Sequence, residues 1–185
     1  MFNSLYREQV LNEVKSSQEN IKDEDIVTLI TQINKADRIF IIGVGRVLLA
    51  MQAFGKRLAH LGFDVSVVGE VTEPAIKKDD LLIVASGSGS TIIPLGIAEK
   101  AKSFGAKVVH IGSNPNGPIK EYSDFFVRIP TQSKLKLDDE VTSEQPMTSL
   151  FEQSVFLLGD IVCLSIIKEK DINIESLWEC HANLE

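Results

Sequence analysis

A chain of 185 residues, 44% hydrophobic and 24% charged, has the composition of an ordinary globular protein and the length for one well-buried core. Its 19 basic and 26 acidic residues leave a net charge of −7, which argues against nucleic acid as the main partner, because a phosphate backbone needs a basic face. Two cysteines, Cys163 and Cys180, are too few for a disulfide scaffold or a four-ligand zinc site, and the opening MFNSLYREQV has no signal pattern, so a cytoplasmic, metal-free soluble protein is expected.

The chain begins with an amphipathic stretch, Phe2–Gln32, that reads as two helices split near Asn20–Asp23, the helical region reaching to about residue 35. Alternation follows. Arg38–Ile42 predicts a strand, GVGR a turn, and Val47–Leu61 a helix closed by Gly62. Asp64–Val68 is the second strand and Leu81–Ala85 the third, an apolar run suited to burial on both faces. Ile92–Phe104 is a helix ended by Gly105, and Lys107–Ile111 and Phe125–Ile129 complete five strands. Strands separated by helix-length segments imply right-handed crossovers and a parallel sheet, hence a doubly wound α/β three-layer sandwich. Thr131–Pro146 is polar and aperiodic and reads as a long loop, functional or mobile. Thr148–Lys168 is one helix, apolar nearly all round, which buries itself in a core or against another subunit; the second is favoured, since the sheet already has helices enough. Its longest apolar stretch, Ser154–Ile167, is interrupted by Asp160 and is too short to span a bilayer.

Ligands in such sheets bind beyond the carboxyl ends of the strands, where two turns are rich in glycine. The stretch Ser86-Gly87-Ser88-Gly89-Ser90-Thr91 sets hydroxyls and close-approach glycines just before a helix start, with its free N–H groups and positive dipole end. These are the parts of an anion cradle, most often for phosphate. Capping by Ser90 or Thr91 needs one hydroxyl, and this turn offers four. The other turn, Gly43–Arg46, resembles half a dinucleotide fingerprint; Leu48 replaces the third glycine, and Glu70 is late for a ribose-binding acid, so a sugar phosphate is the preferred ligand. Arg46 can pair with ligand oxygens, although residue type alone reads it as a surface arginine. Ser149-x-x-Glu152 fits a capping box, which spacing alone favours for Glu152. His181 lies near the chain end and taken alone is solvated; His60 and His110 read as structural.

The segments IIGVGR, FGKRLAHLGFDVSVVGE, SGSGST, AEKAKSFGAKVV, QPMTSLFEQ and HANLE together resemble 6-phospho-3-hexuloisomerases, small members of the sugar isomerase (SIS) domain family, nearly end to end. The resemblance implies a five-stranded parallel sheet and homotetramers whose active sites use neighbouring subunits. It implies interconversion of a 3-hexulose 6-phosphate and fructose 6-phosphate without metal or nucleotide. It implies phosphate binding by Ser86, Ser88 and Thr91 around Gly87 and Gly89, with Gly45 and Arg46 beside them, proton transfer by Glu152, and a His181 that reaches a neighbour's site. The family usually continues G-x-G-R with Ser-Gly, where Val47 and Leu48 stand here. Two other readings stay open: another aldose–ketose phosphate isomerase on this fold, or a non-catalytic sugar-phosphate sensor, made plausible by Val47.

Overall fold

The structure, a computed structural model, describes residues 2–184. Helices α1 (Phe2–Glu19) and α2 (Asp23–Lys35) precede strand β1 (Ile39–Ile42), helix α3 (Arg46–His60), and strands β2 (Val65–Val67) and β3 (Leu81–Ala85). Helix α4 (Ile92–Ser103), strand β4 (Lys107–Gly112), a 3-10 turn (Pro118–Tyr122), strand β5 (Phe125–Arg128) and helix α5 (Ser149–Glu169) follow, and a second 3-10 segment spans Ile174–Cys180.

The five strands are all parallel and lie in the order β2-β1-β3-β4-β5. Strands β1 and β3 are buried at every position, which explains why each reads as an unbroken apolar run. Side chains alternate between two cores. Ile39, Ile41, Leu81, Ile83, Val109, Ile111 and Val127 pack with α2, α3 and α5 on one face; Phe40, Ile42, Leu82, Val84 and Val108 pack with α4 and Ile119 on the other. The expected three-layer sandwich therefore forms.

Helix α5 corrects one expectation. Leu150, Phe151, Val155, Leu158, Val162, Cys163 and Ile166 are buried within this chain, so α5 is a core helix here. Among the described residues no α1 side chain belongs to that core; α1 docks on α5 through Ser17 and Ser154, whose hydroxyls lie 2.8 Å apart. Gly159 permits the close α3–α5 crossing, since a Cβ there would lie 2.8 Å from Cγ of Phe54. At 21 residues α5 is also long and apolar enough to cross a bilayer, longer than its uninterrupted apolar run suggested, but more than half of that span is buried inside the fold. A second apolar stripe on α5, Phe156, Leu157, Ile161 and Leu164, stays exposed, as do Leu5 and Leu11 of α1 and Leu49 of α3.

The loop after β5 is more ordered than its composition suggests. Arg128 forms a bidentate ion pair with Asp139, and the Glu140 carboxylate accepts from the backbone N–H groups of Ser133 and Leu137 at 2.9 and 3.2 Å. Glu13 of α1 accepts from Ser143, Glu144 and Gln145. Residues 131–146 form a pinned strap rather than a loose connection.

Candidate active site

Order 2-1-3-4-5 places the topological switch between β1 and β3, where the chain leaves adjacent strands toward opposite faces and opens a crevice. The turns Gly43–Arg46 and Ser86–Thr91 both stand at that crevice. A cleft of about 690 Å³ occupies it, lined by Val47, Ser86, Ser88, Thr91, Asn114 and Thr148 among others.

The second turn is held from behind. The Ser86 carbonyl accepts from His110 Nε2 at 2.9 Å, the Gly87 carbonyl from the N–H groups of Ser113 and Asn114, the Ser88 carbonyl from Asn114 Nδ2 at 3.1 Å, and the Gly89 carbonyl from Ile119 N–H. In a trans peptide each carbonyl points opposite to the next N–H. With the Ser86 carbonyl tied to β4 and the next three to the segment after it, the N–H groups of Gly87 and Ser88 point away from that support. Gly89 sits at φ +66°, and a Cβ there would meet Cγ2 of Ile119 at 2.9 Å, so only glycine serves. Buried His110 has its pKa pushed down to about 4, chiefly by burial, so it is neutral near pH 7. A carbonyl only accepts, so His110 donates its Nε2–H.

The hydroxyls of this turn are not used as helix caps. Thr91 is the residue before α4, but its side chain makes no capping bond; its Oγ1 accepts from Ser86 Oγ at 3.3 Å. Ser88 Oγ accepts from Ser90 N–H and Ser90 Oγ, leaving its own hydrogen for a ligand. The first turn of α4 carries no acidic residue, so nothing opposes an anion at its positive end.

Glu152 lies in the first turn of α5 and is 9% exposed. The capping box does not form, because α5 begins at Ser149 and puts Glu152 one position too late in the turn. Its carboxylate instead accepts from Thr148 Oγ1 at 2.9 Å and from Nε of Arg46, the first residue of α3. Arg46 is thus not a simple surface arginine. Gly45, with φ +62° and ψ −134°, is the turn residue that launches it. The pair stands beside the cleft: Thr148 and Phe151 line the cleft, whereas Arg46 and Glu152 line an adjoining apolar groove with Leu11, Leu49 and Phe156. The partition is thin, since a Cβ on Gly87 would lie 3.5 Å from the Phe151 ring, next in sequence to Glu152.

His181 is not brought to this site within one chain. Its ring stacks on His60 at 5.3 Å and lies 5.3 Å from the Trp178 ring. His60 ends the helix that Arg46 begins, and 14 residue steps at 1.5 Å put it roughly 21 Å away. Burial, then Lys56, Arg57 and His181, lower the pKa of His60. Glu70 is exposed in the turn after β2 and does not line the cleft, so no ribose-binding acid is placed there. Among the described residues no cluster of three His, Cys, Asp or Glu side chains is placed to hold a metal. Sequence reasoning missed Asn114, Gln132 and Lys134, all lining the cleft. The GSNP run at the end of β4 is a third carboxyl-edge turn and was the available signal for Asn114.

The fold and the turn after β3 define a class: the chain belongs to the SIS domain family, whose profile matches residues 32–158. Within that family, it is 36% identical over 180 residues to a Bacillus subtilis protein named 3-hexulose-6-phosphate isomerase, covering 97% of each chain. It is 38% identical over 176 residues to a Mycobacterium gastri protein of the same name, covering 95% of this chain and 88% of that one. A Methanococcus jannaschii crystal structure, described as one that infers a molecular function of 3-hexulose-6-phosphate isomerase, superimposes with a TM-score of 0.85 at 32% identity, covering 97% of this chain and 99% of the other. Three of its near full-length relatives bear that isomerase name.

Proposed function

We propose that this chain is a sugar-phosphate isomerase that interconverts a 3-hexulose 6-phosphate and fructose 6-phosphate through an enediol, in the cytoplasm. The relatives' names support the reaction, and two free cysteines suit a reducing compartment. One observation carries the reading: the glycine- and hydroxyl-rich turn after β3 packs on Phe151, the residue that precedes Glu152, whose buried carboxylate is hydrogen-bonded by Thr148.

The phosphate binds to the Ser86, Ser88 and Thr91 hydroxyls, the open N–H groups and the α4 N-terminus. Held there, it aligns C2 and C3 of the open-chain sugar. Glu152 takes the proton from C2 of the 3-ketose as O3 gains negative charge, the O2 hydroxyl proton passes to O3 within the cis-enediolate, and Glu152 returns its proton to C3 as the C2 carbonyl forms. A positioned carboxylate contributes roughly 10²–10⁴-fold. Thr148 and Arg46 hold the carboxylate, and the Arg46 guanidinium steadies developing negative charge beside it. Acid–base, anion-binding and oxyanion groups are all side chains or backbone, so the proposal includes no metal and no nucleotide.

The working form is an assembly of identical subunits, a tetramer. Leu11, Leu49, Phe156 and Leu157 are exposed beside Glu152, and a second copy covers them. His181, remote within its own chain, reaches the site of a neighbour. A coupled assay for fructose 6-phosphate tests the reading: turnover supports it, while sugar-phosphate binding without turnover gives a sensor, the reading that Val47 in the cleft wall favours.

A further inference from the structure

The phosphate turn offers only neutral donors, yet a phosphate dianion is to enter a protein of net charge −7. Among the described residues lining the cleft, Lys134 is the one that carries a charge. It is exposed, and it forms no ion pair among the described residues. Its neighbours in the chain are tightly held. Gln132 N–H donates to the Val141 carbonyl at 2.9 Å, Val141 N–H to the Pro130 carbonyl at 2.7 Å, and Thr131 Oγ1 lies 2.9 Å from Ser113 Oγ. Glu140 and the Arg128–Asp139 pair fix the two sides of the strap, so its tip at Lys134, Leu135 and Lys136 projects from a rigid stem.

The geometry points to Lys134 as the cation that completes the phosphate site: the strap carries its ammonium group to the anion held by Ser86, Ser88 and Thr91. This deepens the proposed function, on which it rests, and makes the strap a determinant of selectivity for phosphorylated over neutral sugars. The stem sets where the charge can go, and the flexible lysine side chain covers the remaining distance. A charge-assisted contact to phosphate is about twice as strong as a neutral one, so its loss is expected to weaken binding by about tenfold or more.

The test compares the wild-type protein with Lys134→Met, Lys134→Arg and Lys136→Met. Lys136→Met is the control, because it removes one positive charge from the same tip at a position that does not line the cleft. Calorimetry with inorganic phosphate reads the site without needing turnover. Lys134→Met is expected to bind phosphate about tenfold more weakly and with less dependence on salt, while Lys134→Arg and Lys136→Met stay within about twofold of wild type. In the coupled assay the same loss is expected in KM, with kcat little changed. Equal phosphate affinity in wild type and Lys134→Met overturns the role of Lys134 and leaves the isomerase reading standing. Equal weakening in Lys134→Met and Lys136→Met reduces Lys134 to general surface charge and also overturns it. A wild-type protein that binds no phosphate removes the anion site itself.

Discussion

Glu152→Gln separates a structural from a chemical role for Glu152. The structure sets the size of each effect. A glutamine amide oxygen still accepts from Thr148 Oγ1, so that bond is kept. What goes is the charge opposite Arg46. The Arg46 side chain is 67% exposed and the Glu152 side chain 10%, so water screens one end of the pair, and its loss costs about 0.5–1 kcal/mol. For a domain of this length that lowers Tm by roughly 1–4 °C. A neutral amide cannot accept a carbon-bound proton, so kcat should fall about 10²-fold or more. KM should change only a few-fold, since the phosphate contacts lie on another turn. Steady-state kinetics in the coupled assay, alongside thermal melts, measure all three quantities. Turnover near wild type with the small stability loss would refute the base assignment and leave Glu152 as an anchor for Arg46.

Ser88→Ala removes the hydroxyl that accepts twice from Ser90 and still has its hydrogen to give, so KM for the sugar phosphate should rise while kcat holds; the unphosphorylated sugar should bind poorly to the wild type, and equal binding of both sugars in calorimetry would contradict the phosphate site. His110 gives a pH signature. Its folded pKa, about 4, lies below its unfolded value near 6.5, so the unfolded state binds more protons between these limits. The contribution of His110 to stability is intact above about pH 6.5 and is lost as pH falls through 4, by about 1.4 kcal/mol per pH unit within that window. Denaturant titrations at several pH values check this, and His110→Gln should flatten the dependence in that window. The exposed stripes on α1, α3 and α5 predict a stable oligomer, and light scattering that shows a monomer at micromolar concentration would contradict it.

The strands and the glycine- and hydroxyl-rich turn after β3 were legible because their signals are local. Strands β1 and β3 are buried on both faces, and Ser86–Thr91 carries hydroxyls and glycines in one unbroken run. What was not legible depends on contacts between distant parts of the chain. Arg46 and Glu152 are 106 residues apart, and spacing within α5 pointed instead to a local cap that does not form. That one face of α5 joins the core of its own chain was not legible, because sequence does not show which helices cover the sheet; its second stripe, Phe156, Leu157, Ile161 and Leu164, stays exposed. The loop after β5 looked unstructured because its partners, Glu13 and Arg128, lie on other elements. His110 was read as structural from its place in a strand; its hydrogen bond to the Ser86 carbonyl, which helps shape the turn after β3, follows only from the β3–β4 pairing.

Fructose 6-phosphate incubated in D2O and followed by NMR tests the central claim most directly. An enediol with Glu152 as the shuttle exchanges the moving proton with solvent. Wild-type protein should therefore place deuterium at C3 of the recovered fructose 6-phosphate and at C2 of the 3-hexulose formed, and Glu152→Gln should cut both rates about 10²-fold or more. Wild-type protein that binds the sugar phosphate but, after time for many turnovers, leaves both carbons free of deuterium would contradict the account.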